Sequence, residues 1–150
     1  VEDRMTRGFV SGIAGDVITN AFSFLAGALG WTTIRSADLI GIIVYAHKPP
    51  RAMDKIVIAT FGHLMVSGVL GIGFAYLLTH IESTHLWVKG VVFSLATWYA
   101  VYSVTTLFEV PGTVPTPFNT TVTDGVASVI FGLSLAIALK MLTPRETTRG

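Results

Sequence analysis

The sequence predicts an all-α polytopic membrane protein: a bundle of four transmembrane helices with a short interfacial or re-entrant helix between the first two spans. Three observations predict it. Of 150 residues, 51% are hydrophobic and only 13% charged, about half the charged share of an ordinary soluble domain. The charges collect between long apolar runs, where a soluble fold would spread them over its surface. The runs themselves are apolar on every side, and three of the four reach the roughly 17–25 residues that a helix needs to cross the hydrocarbon core, the fourth marginally. A membrane barrel would instead show strands of about 10 residues alternating with period two. One domain covering residues 1–150 is expected. A net charge of +1 argues against a nucleic-acid partner. The absence of cysteine removes disulfides, a thiolate nucleophile and cysteine-ligated metal centres.

The first run, Phe9 to Gly30, has Asp16 as its only charge and predicts a span over 8–30. It exceeds the apolar region of about 7–15 residues found in a cleaved leader. The chain opens at Val1 rather than Met, as expected if a start residue or short leader has been removed. In the connector Trp31–Lys55, Ala37 to Tyr45 forms a second apolar patch. A dozen helical residues reach only about 18 Å, so 36–46 is expected to lie flat or re-enter without crossing, until Pro49 and Pro50 end it. The second run, Ile56 to Leu78, carries no formal charge and one histidine, His63; it predicts a span over 54–80. The short polar turn His80–His85 makes the next span its antiparallel neighbour. That third span, 87–108, contains Trp98, Tyr99 and Tyr102. A proline-rich loop follows, Glu109 to Pro117, without lysine or arginine. The fourth span is expected over 121–142, with Asp124 in its first turn, where the helix dipole favours a negative charge. Arg4, Arg7, Lys89, Lys140, Arg145 and Arg149 then share one side, against Arg35, Lys48, Arg51 and Lys55 on the other. That bias favours cytoplasmic termini.

In a bilayer, small residues mark where helices approach closely. The first helix offers Gly8-x-x-x-Gly12 and Ser11-x-x-x-Gly15, the second Ser67-x-x-x-Gly71-x-x-x-Ala75, and the fourth Ser128-x-x-x-Gly132-x-x-x-Ala136. A tightly packed bundle is expected, with lipid as its surroundings and a second copy or another membrane protein as partner. Trp31, Trp87 and Tyr45 read as interfacial anchors; Trp98 sits deep enough to pack.

From Arg7 to Leu142 the chain resembles a family of small four-helix membrane proteins of Firmicute bacteria, the YqhR-like group. The resemblance rests on Arg7-Gly8-Phe9 with Gly12 and Gly15, on Asp38 to Pro49 with its Tyr45-Ala46-His47-Lys48-Pro49 piece, and on Leu70 to Leu78. It continues through Lys89-Gly90, Phe93 and Trp98 to Phe108-Glu109-Val110-Pro111 and Phe131-Gly132-Leu133. It implies the four-span topology and a bacterial cytoplasmic membrane, and implies no activity. Asp16 and Ser94 stand where smaller or more apolar residues are expected.

Candidate chemistry is sparse. Asp16 and Asn20, four apart on one helix face, are either a proton or cation site with His63 as partner, or a hydrogen-bonded packing cluster; an ionisable group in mid-membrane costs roughly 2.5–3.5 kcal/mol. The connector residues Arg35, Asp38, Tyr45, His47, Lys48 and Arg51, on the same side as Glu109, are either a headgroup or partner site or a basic rim with Asp38 paired to Arg35. No catalytic residues, cofactor or metal-ligating pattern are expected; His80 and His85 are a poor chelate. The leading expectation is a non-enzymatic membrane protein acting by self-assembly or partner assembly. The alternative is a small transporter or channel using Asp16, Asn20 and His63. A third is a lipid-modifying enzyme at the Tyr45–Arg51 connector.

Overall fold

The computed structural model describes residues 3–45, 51–81 and 84–143. Over these residues the chain forms five helices and no strands: α1 (Arg4–Ala28), α2 (Asp38–Tyr45), α3 (Met53–Leu77), α4 (Leu86–Leu107) and α5 (Phe118–Leu142). All but α2 are long and apolar enough to cross a membrane. The eight residues of α2 rise only about 12 Å.

Two helices begin earlier than their apolar runs suggest, each for a local reason. Asp3 caps α1: its Oδ2 accepts the Thr6 N–H at 2.7 Å and the Thr6 Oγ1–H at 2.8 Å, satisfying a donor that has no partner within the helix. Pro117 opens α5, where its missing N–H costs nothing, and the Thr121 N–H closes the first turn onto Pro117 O at 3.0 Å. The polar start of α5 tolerates a helix because its hydroxyls bond back along it, Thr123 Oγ1 to Asn119 O at 2.8 Å. Asp124 therefore lies beyond the first turn of its helix, which corrects the expectation of a dipole-stabilised first-turn carboxylate.

The spans lie in the order α3, α1, α5, α4, each antiparallel to its neighbour, with α2 against α3. Every residue that α1 buries is small or polar, from Gly8 through Ser11, Asp16 and Asn20 to Ala26, while Val17, Ile18 and Leu25 face outward. That inversion suits lipid surroundings and lets backbones meet. A Cβ on Gly8 would stand 2.7 Å from Gly71 O and 2.9 Å from the Ala75 methyl, and one on Gly12 would fall on the Ser67 carbonyl. Gly15 turns to α5 instead, over Leu135 and Phe131. The α4–α5 crossing is built alike: Gly90 faces Gly132 and the Ala136 methyl, and Ser94 Oγ donates to Ser128 O at 2.7 Å. At the end nearest the α3–α4 turn, Phe74, Phe131, Leu135, Ala136 and Leu139 close an apolar core. There Phe74 meets Phe93 of α4 at 5.3 Å. Beyond that contact α3 and α4 do not pack along each other, and a cleft opens between them.

Candidate functional site in the α3–α4 cleft

The cleft holds about 580 Å³ and is lined by all four spans, with residues 34–36 and the face of α2 bearing Leu39, Ile40 and Ile43 at its mouth. One wall is the α1–α3 crossing. Asp16, fully buried, comes four residues after Gly12, where the two backbones are nearest, so its short side chain reaches His63 across the interface. His63 Nδ1 lies 2.9 Å from both carboxylate oxygens. Its hydrogen bond goes to Oδ2, which also accepts Asn20 Nδ2–H at 2.7 Å. Asn20 Nδ2 is also 3.4 Å from the same ring nitrogen. One proton between imidazole and carboxyl satisfies both groups, donated from either side.

The balance of donors and acceptors in this cluster does not close. Asn20 Oδ1 is buried and has no hydrogen-bond partner, and Asp16 Oδ1, also buried, has only the ion-pair contact with His63 Nδ1 at 2.9 Å. A buried acceptor left open costs about 1–3 kcal/mol, and a carboxylate in a low-dielectric site costs more. With Asp16 lining the cleft, this acceptor-rich cluster is chemically suited to a cation or to a guest carrying N–H or O–H groups.

The opposite wall is the α4–α5 crossing. Tyr102 OH donates to Asp124 Oδ2 at 2.7 Å. Trp98 stacks at a tilt between Tyr99, 4.7 Å away, and Tyr102, 5.0 Å away, and its Nε1 is buried without a partner. At the mouth, Arg35 and Asp38 form a fork, with Nη2 to Oδ1 at 2.7 Å and Nε to Oδ2 at 3.1 Å. The Arg35 guanidinium also lies over the Phe24 ring at 4.9 Å. Ser36 N–H donates to Ser23 Oγ at 2.8 Å, and Thr33 N–H to Thr120 Oγ1 at 3.2 Å. These bonds tie the connector down on α1 and α5.

Asp16, Asn20 and His63 are thus one cluster, and Asp124 lines the same cleft with a different partner. Of the connector residues, those described have separate surroundings. Arg35 and Asp38 bind each other, Tyr45 receives Lys55 Nζ at 5.1 Å from its ring centre, and Arg51 and Glu109 are exposed. His47 and Lys48 lie outside the described residues. Sequence reasoning missed Gly90 and the polar stripe of α4 made by Ser94, Thr97, Tyr102 and Thr105. Both were detectable: Gly90-x-x-x-Ser94 has the spacing of the other stripes, and the polar residues recur at helical spacing. Among the described residues, no group of three or more histidine or acidic side chains is placed to hold a metal ion. Compared with known proteins, the chain matches no family model, no curated protein and no solved structure.

Proposed function

We propose that this integral membrane protein is a small carrier that holds an amphiphilic cation in the α3–α4 cleft and exchanges it against a proton at Asp16 and His63. The observation that carries this reading is the buried Asp16–Asn20–His63 cluster, with Asn20 Oδ1 unpartnered and Asp16 and His63 lining a cleft of about 580 Å³. Paired with a neutral imidazole, the Asp16 carboxylate leaves a net charge of −1; one added proton neutralises the pair. Proton and cation compete for that single negative charge. Trp98 and Tyr102 offer ring faces that attract a cation, Asp124 adds a second carboxylate, and apolar walls accept the rest of the guest.

The small-residue stripes that made self-assembly the leading expectation are occupied within one chain, and they give no separate reason for a second copy. Arg4, Arg7, Lys89 and Lys140 share one end of the bundle, which supports both termini on the cytoplasmic side. In proteoliposomes with an imposed pH gradient, the wild-type protein drives uptake of a radiolabelled quaternary amine with counterflow of protons, and Asp16→Asn abolishes both. Equal uptake by Asp16→Asn, with the bundle still folded, refutes the reading.

A further inference from the structure

The opposite end of the bundle carries a second cavity, about 980 Å³, bounded by the start of α1, the α3–α4 turn and the end of α5. Its charged lining is basic: Arg4, Arg7 and Lys140, beside His85 and Thr143, with no aspartate or glutamate among the described residues that line it. Leu78, Leu86 and Leu139 make its apolar floor.

Three features give this charge a direction. Gly8 presses against the α3 backbone and Ser11 Oγ donates to Arg7 O at 2.7 Å, so the backbone of Arg7 is held firmly. Its Nε is buried and has no hydrogen-bond partner, an unmet donor of the group best shaped for a two-pronged bond to phosphate. The first turn of α4 also lines the cavity, and its N-cap, His85, makes no side-chain cap bond, so the positive end of that helix adds its field to the basic side chains. The volume is at the upper end of the roughly 300–1,000 Å³ usual for ligand sites.

We propose that this cavity binds a phosphate group, held by Arg4, Arg7 and Lys140, with the apolar part of its bearer on Leu78, Leu86 and Leu139. The bearer is an anionic phospholipid or a soluble phosphate compound; a merely snorkelling basic rim would enrich anionic lipid in proportion to its mole fraction, without saturating at a low one. Trp87 lines the cavity and reports on it. The full-length protein is placed in phosphatidylcholine vesicles containing a few per cent brominated phosphatidylglycerol, and the quenching difference between wild type and Trp87→Phe isolates this tryptophan. Quenching is expected to saturate at low mole fraction, and Arg7→Gln and Lys140→Gln should each lower the preference roughly fivefold, the worth of one basic residue at an anionic surface. Inorganic phosphate at millimolar concentration distinguishes the sources. Persistence of the quenching assigns the site to the lipid, and its relief assigns it to a soluble phosphate. Brominated phosphatidylcholine quenching Trp87 equally well, or an unchanged preference in both variants, overturns the proposal. Helix content and a thermal midpoint accompany each variant, and the more conservative Arg7→Lys should keep part of the preference if charge at that position is what selects the lipid.

Discussion

Gly12→Ala should weaken the bundle strongly, because Gly12 stands in the close crossing of α1 and α3. The added Cβ would overlap the Ser67 carbonyl and lie 2.9 Å from Gly68 Cα. Both obstacles are backbone, so no side chain can rotate away and the helices must separate. Separation also lengthens the reach from Asp16 to His63, one turn further along the same crossing. Overpacking of a close interior costs about 1–3 kcal/mol, and part of the Asp16–His63 contact is lost with it. Gly73 supplies the control: a Cβ there meets nothing within 4 Å, and alanine is favoured over glycine in a helix by up to about 1 kcal/mol. Gly73→Ala should therefore leave stability level or raise it. Both variants are unfolded in mixed detergent micelles with increasing dodecyl sulfate and followed by circular dichroism. Indistinguishable midpoints for Gly12→Ala and Gly73→Ala would refute the close-crossing account of α1 and α3.

Other outcomes follow from single contacts. Asp16→Asn and His63→Gln should each lower the same unfolding midpoint, and together show a coupling of about 0.5–3 kcal/mol; additive losses would mean that the pair does not interact. Ser94→Ala should cost about 1 kcal/mol through the lost bond to Ser128 O, and an unchanged midpoint would remove that bond from the α4–α5 crossing. Trp98→Leu should lower the affinity of the cleft for a cation by removing a ring face, and unaltered binding would separate that wall from the site. The Asp3 carboxyl, outside the spans, is held below its ordinary value first by the Thr6 hydroxyl and then by the Thr6 N–H. Its folded value is the lower one, so its support of α1 is present above the unfolded value and disappears as pH falls through the folded one. Acid titration of helix content should show a step that Asp3→Ala lacks.

The spans were legible because the membrane imposes a length and an all-round apolarity that composition exposes directly. The stripes at Gly8, Gly12, Gly71 and Gly132 were legible for a related reason: with lipid outside, only small residues let helices meet. Their partners were not, since a stripe shows that something approaches and not what. Whether Gly12 faced α3 or a second copy depended on the order of the spans, which no local pattern carries. The Asp16–Asn20 pairing followed from spacing on one helix, whereas the 2.9 Å contact with His63 needed the register of two antiparallel helices set by their glycines. Asp124 was misplaced within its helix because a polar run of threonines does not resemble a membrane helix until its hydroxyls are seen bonding back along it. The cleft itself was invisible, being defined by where α3 and α4 fail to pack.

Competition between a proton and a cation for the Asp16–His63 pair makes cation binding depend on pH. Equilibrium binding of tetraphenylphosphonium to the solubilised protein should tighten by about tenfold per pH unit over the range in which one proton is displaced. In Asp16→Asn, binding should be weak and flat with pH. Binding in the wild type that is absent, or independent of pH, or that keeps the same slope in Asp16→Asn, would contradict the account.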